Sequence, residues 1–127
     1  MPTSHEVKSI AGKWTNTPYE FGGGDGNGID CSHFVWEVLK EAGYANAPYT
    51  QATDIARSPS FSRISPNEVR EGDIVHFSGG SDHMGIVVDA KAGTFIGAQS
   101  STGVAPASYV RDYWSGRRPT FYRYVGK

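Results

Sequence analysis

Chemistry in this chain starts from Cys31, the one cysteine in 127 residues. A single thiol can form no internal disulfide and cannot supply a site of several thiolate ligands, so its role is either packing or reactivity. It stands where the glycine-dominated stretch Phe21 to Gly28 gives way to Phe34, Val35, Val38, Leu39 and Ala42, apolar residues at helical spacing. Unpaired backbone N–H groups and the helix dipole favour a thiolate at the first turn of a helix. This placement predicts a lowered thiol pKa and offers donors to the oxyanion of an acyl-transfer intermediate. The competing reading is a small buried hydrophobe, and the surroundings of Cys31 decide between the two.

A thiolate nucleophile needs a base within hydrogen-bond reach, normally a histidine. The candidates are His5, His33, His76 and His83. His5 falls in the first predicted helix and is expected in solvent, while His76 lies inside a strand-like run and reads as half-buried and structural. His33 is two positions from Cys31, and residues two apart on a helix point in different directions. His83 opens a strand directly after a glycine turn, so its ring is expected at the sheet edge, where a packed helix presents its amino end. It is the favoured base. No pair of histidines has the spacing of a helical or strand metal site, and no metal or other cofactor is expected.

These side chains need a scaffold. Thr3 and Glu6 have capping-box spacing, and Val7, Ile10, Ala11 and Trp14 predict a first helix from about Ser4 to Trp14, ended by Pro18. Phe21 to Gly28 is expected to be a loop. The central helix follows, capped by Asp30 or Ser32, with Gly43 just past its end. A short helix is expected over Thr50 to Arg57. After Pro66 the pattern turns to β-rich runs at Ile74 to Phe77, Met84 to Asp89, Thr94 to Gln99 and Phe121 to Val125. Gly79-Gly80-Ser81-Asp82 and Lys91-Ala92-Gly93 separate the first three, which predicts consecutive antiparallel strands. Helices first and strands afterwards give an α+β class with helices on one face of an antiparallel sheet, in one domain spanning residues 1–127. Twelve basic against thirteen acidic side chains leave a charge of -1, which offers nothing to hold a nucleic acid or an anionic membrane. No apolar run approaches the roughly 18 residues that span a bilayer.

With these elements in place, the residues carry a resemblance. Pro18-Tyr19-Glu20-Phe21-Gly22-Gly23 followed by Gly28-Ile29-Asp30-Cys31-Ser32 resembles the nucleophile motif of the NlpC/P60 family of papain-like cell-wall cysteine peptidases. Glu71-Gly72-Asp73-Ile74-Val75-His76-Phe77 is similar to the family's first core strand, and Asp82-His83-Met84-Gly85-Ile86-Val87-Val88 to its histidine strand. The resemblance implies a papain-like fold with Cys31 as nucleophile at the start of the central helix and His83 as general base. It also implies that Tyr19 stands near the nucleophile and that Asp30 and Ser32 help shape the site. In the family a third polar residue on the next strand orients the imidazole. The aligned position here is Gly97, which has no side chain. Gln99, two residues further on the same face of the strand, is expected in its place, its amide accepting the Nδ1 proton of His83; the other reading is a half-exposed strand glutamine. His33 stands where the family usually has glycine, and it either narrows the groove, touches substrate or is inert.

The family's chemistry implies hydrolysis of an amide bond in the peptide stems of bacterial peptidoglycan, commonly that between γ-D-glutamate and diaminopimelate. Asp30 either pairs with a substrate amine or serves as a helix cap. The same fold arrangement supports muramoyl-L-alanine amidases and acyltransferases. A non-catalytic wall-binding module would use Cys31 for packing, and the intact Cys31 and His83 argue against it. The amino end lacks the regions of a secretory signal. This leads to the expectation of an excised lysin or toxin domain, or of a monomeric antibacterial effector exported by a dedicated machine to act in the periplasm or cell wall. An effector would require an immunity protein that blocks the groove.

Overall fold

A computed structural model describes residues 4–126. Thr3, half of the expected capping box, and the side chain of His5 lie outside the described residues. The first helix, α1 (Ser4–Lys13), turns Val7 and Ala11 into the core. The segment expected to be only a loop contains a two-stranded hairpin, β1 (Gly24–Asp25) and β2 (Gly28–Ile29). Each strand is too short to show a period, and glycine permits the close approach: a Cβ on Gly23 would lie 2.4 Å from the Gly28 carbonyl oxygen.

The central helix, α2 (Cys31–Glu41), buries Phe34, Val35, Val38 and Leu39 along one face. Asp30 is its cap, and Ser32 lies inside the first turn. Gly43 follows the helix at φ 106°, a left-handed conformation that suits glycine just past a helix end. The expected short helix after α2 is a 3-10 helix over Ala52–Arg57.

The sheet comprises β3 (Phe61–Ile64), β4 (Ile74–Phe77), β5 (His83–Asp89), β6 (Thr94–Gln99), β7 (Gly103–Ser108) and β8 (Pro119–Tyr124), with a short helix α3 (Asp112–Ser115) before the last strand. The order is β3-β8-β4-β5-β6-β7, and every pairing is antiparallel. β4, β5 and β6 pair consecutively as expected. The interior position of β5 corrects one expectation: His83 stands at the end of an inner strand, away from the sheet's lateral edges. Pro106, which cannot donate to a ladder, sits in β7 at such an edge.

Alternation along the strands builds two cores. Ile74, Met84, Ile86, Val88 and Ile96 pack with the helices, while Val75, Phe77, Val87 and Phe95 form a second cluster on the far side with Tyr109 and Phe121. Both helices expected on one face are there. The other face is covered as well, by Tyr109 and Trp114 from the segment between β7 and β8. Among the described residues no helix is long and apolar enough to cross a membrane.

Candidate active site

Asp30 sits where the hairpin joins α2. Its Oδ1 accepts from the His33 N–H at 2.9 Å and lies 2.8 Å from His33 Nδ1, and its Oδ2 accepts from the Gly22 N–H at 2.9 Å. Burial alone would raise its pKa, but the hydrogen bonds from His33 and Gly22 outweigh that and hold the carboxyl below its ordinary value. Both carboxylate oxygens thus have partners within the chain. Ser32, also buried, donates to Asp30 at 3.2 Å and shares a 2.7 Å hydrogen bond with the Tyr49 hydroxyl. The His33 ring lies against Tyr49 with centroids 4.5 Å apart and planes tilted by 32°, which places it in the wall of the groove.

Cys31 is the first residue of α2 and packs partly buried against the core. The expected lowering of its pKa is not found. Burial pushes the thiol up and the Asp30 carboxylate adds to this, against the pull of the N–H groups of Met84, Ser32 and Cys31 itself. Donors at the helix start are present, but desolvation of the thiolate is the larger effect. The resting site holds a neutral thiol.

His83 is 9% exposed, at the first position of β5. Its Nε2 lies 3.1 Å from Gln99 Oε1, and the Gln99 amide nitrogen donates to the Ala105 carbonyl at 3.1 Å. That second bond orients the amide, so its oxygen faces the ring and Nε2 carries the proton. Gln99 therefore takes the expected place but bonds Nε2, not Nδ1, which leaves Nδ1 as the basic nitrogen. Gly97 explains the substitution: a Cβ there would lie 2.5 Å from Gln99 Oε1 and 3.3 Å from His83 Nε2. The glutamine amide fills the space that a side chain at position 97 would need.

Trp114 stacks on the His83 ring at 4.7 Å between centroids and 23° between planes. Burial, with smaller contributions from the charges of Arg117 and His76, lowers the His83 pKa to about 4, although the Gln99 hydrogen bond acts in the other direction. The imidazole is neutral at pH 7. His76 is buried, and its Nε2 lies 2.8 Å from Asp82 Oδ2, a structural pairing that steadies the residue before His83.

Two clefts meet at the thiol. One, about 590 Å³, is lined by Cys31, His83, Gln99, Trp114 and Arg117; the other, about 530 Å³, by Cys31, Asp30, Ser32, His33 and Tyr49. Tyr19 and Asp82 border both. Burial, followed by the charges of Cys31 and Asp30, raises the Tyr19 pKa and keeps its hydroxyl protonated. A thiol at the waist of a continuous groove, beside a neutral imidazole with one free nitrogen, is chemically suited to acyl transfer to sulfur.

The sequence profile of the NlpC/P60 family matches residues 16–123. The chain belongs to the NlpC/P60 family. It is 33% identical over 106 residues to the murein DD-endopeptidase MepS/murein LD-carboxypeptidase of Escherichia coli K12, covering 82% of this chain and 54% of that protein. It is 32% identical over 123 residues to the gamma-DL-glutamyl hydrolase of Bacillus subtilis 168, covering 91% of this chain and 29% of the relative. The chain thus spans about half or less of these relatives' lengths. The solved NlpC/p60 domain of the peptidoglycan hydrolase SagA superposes with a TM-score of 0.74 at 25% identity, covering 94% of this chain and 97% of that one. An NlpC/P60 protein of Bacillus cereus shares the fold at a TM-score of 0.81 and 18% identity, covering 98% of this chain and 41% of that one.

In this NlpC/P60 chain, reading the sequence missed Trp114, Arg117, Tyr49 and Asp82. They reach the groove from three segments, Trp114 and Arg117 sharing one, and for Trp114 the one visible signal is an aromatic pair, Tyr113-Trp114, inside the charged run Arg111 to Arg118.

Proposed function

We propose that this chain hydrolyses an amide bond in the peptide stems of peptidoglycan, as one catalytic domain with Cys31 as nucleophile and His83 as base. One arrangement supports this reading: Cys31 and His83 open onto one cleft, with Nε2 of the imidazole engaged by Gln99 and Nδ1 unspent. The name of the Escherichia coli relative, a murein endopeptidase, adds the substrate class.

Because the resting thiol and imidazole are both neutral, attack and proton transfer are coupled. His83 Nδ1 takes the thiol proton as Sγ bonds to the carbonyl carbon, and the carbonyl electrons move to oxygen, where N–H groups at the start of α2 stabilise the charge. Collapse breaks the C–N bond, and the imidazolium gives its proton to the leaving amine, which departs from a thioester. Water then attacks the thioester and passes a proton to Nδ1. The second collapse breaks the C–S bond and the proton returns to sulfur. Gln99 holds the ring in the orientation these transfers need, and Tyr19, Asp30, Ser32 and His33 shape the groove on the other side of the thiol.

The test is digestion of purified peptidoglycan by the wild type and by Cys31→Ala, with fragments identified by mass spectrometry. The wild type is expected to release stem-peptide fragments whose masses name the bond cut, and the variant to be slower by about a thousandfold or more. Equal release by both proteins would refute Cys31 as nucleophile.

A further inference from the structure

Resting on the hydrolase reading, we propose that Arg117 reads a free carboxylate on the leaving half of the substrate, so that the preferred bond is one whose released amine belongs to an acidic residue. The protonated imidazole must deliver its proton to the departing nitrogen, which places the leaving half in the cleft on the His83 side. Arg117 is the cationic side chain in that cleft.

Its backbone is fixed: the Arg117 carbonyl accepts from the N–H groups of Ser78 and Gly79, each at 3.0 Å. Its guanidinium spends little of its capacity. Nη2 donates to the Ser81 carbonyl at 2.9 Å and Nη1 to the Tyr113 hydroxyl, while Nε is buried with no partner. A guanidinium carries five N–H donors in a planar fork that matches a carboxylate, and besides the buried Nε one N–H on each of Nη1 and Nη2 is uncommitted. Among the described residues no carboxylate lies within ion-pair distance of Arg117, and Asp82, the acidic residue in the same cleft, is turned to His76 at 2.8 Å.

The surroundings hold the cation in place for this task. Tyr113 and Trp114 lie 5.2 Å and 5.6 Å from the guanidinium carbon, and the same Trp114 stacks on His83. One indole therefore borders both the base and the charge, which sets a carboxylate at Arg117 close to the amine that His83 protonates. Ser100 and Ser101 add hydroxyls to the same cleft.

The experiment uses two synthetic stem peptides that differ only in a carboxylate or a carboxamide on the residue bearing the released amine. The wild type is expected to favour the acid by about tenfold or more in kcat/KM, mainly through KM. Arg117→Gln is expected to lose that preference to within about twofold, read as the ratio of the two kcat/KM values whatever its rate on either peptide. Arg117→Lys, which keeps the charge but not the fork, should retain part of it. Equal wild-type rates on acid and amide would overturn the proposal, as would a preference that persists in Arg117→Gln. Should Arg117→Gln fail to melt cooperatively, Arg117→Lys decides, a reduced preference supporting the proposal and an unchanged one refuting it. A wild type that cleaves neither peptide nor intact peptidoglycan brings down the hydrolase reading, and this proposal with it; cleavage of both peptides without preference brings down this proposal alone.

Discussion

At the scale of single residues, the site is governed by desolvation. His83 has a pKa of about 4 in the fold against 6.5 in the unfolded chain. Between those values the unfolded state binds the extra proton, so stability is fully present above about pH 6.5 and is lost as pH falls toward 4. The difference amounts to about 3 kcal/mol at 1.36 kcal/mol per pKa unit. Urea midpoints at pH 7.5 and pH 4, compared between the wild type and His83→Phe, measure it: the wild type should lose more stability than the variant on acidification, and equal losses would contradict the burial described here. Cys31 and His83 were legible in the sequence because the motif puts each at a defined distance from a helix start or a strand turn, whereas Gln99 was reached only by stepping along the strand face from Gly97, where the motif itself falls. Which ring nitrogen Gln99 meets was not legible, since that depends on side-chain torsions. The thiol pKa was misread for a related reason: helix-start donors can be seen in a sequence, but the burial that outweighs them is a property of the packed molecule.

At the scale of elements, β8 is tied to the turn before β4 by one ion pair. Arg123 Nε and Nη2 lie 2.8 Å and 2.9 Å from the two oxygens of Asp73, a carboxylate that is 4% exposed and also accepts from the Arg70 N–H at 2.7 Å. Arg123→Ala leaves that carboxylate buried without its counter-charge and should cost about 3 kcal/mol, read as a shift in the denaturant midpoint with the slope unchanged. α2 and β4 to β6 were visible because apolar period and turn residues agree along each of them. β7 was not: Gly103-Val104-Ala105-Pro106-Ala107-Ser108 has little strand propensity and is held by pairing with β6. The β1–β2 hairpin and α3 were missed because two-residue strands and a four-residue helix carry no periodic signal.

At the scale of the whole molecule, the strand order matters more than any single contact. β8 lies between β3 and β4, pairing Ile64 with Phe121 on one side and Val75 with Phe121 on the other. A chain cut before Pro119 loses an inner strand, including Phe121 and Tyr122 from the two cores, so it should show no cooperative thermal transition by circular dichroism. A truncated chain that still melts cooperatively would mean that β4 to β7 and the helices are stable without it. The α+β class and the helices on one face were legible from element order alone. The insertion of the last strand was not, because nothing local in β8 records which neighbours it will have.

That insertion bears on the timing of synthesis. A ribosome delivers β3 and β4 well before the strand that belongs between them, and the loop bearing Trp114 and Arg117 is held by β7 at one end until β8 joins the sheet and holds the other. Until then β3 and β4 each have an open edge where β8 will lie, and the segment that walls the groove beside His83 is tied to the sheet on one side only. Cys31 and His83 are thus synthesised well before the segment that completes the cleft around them.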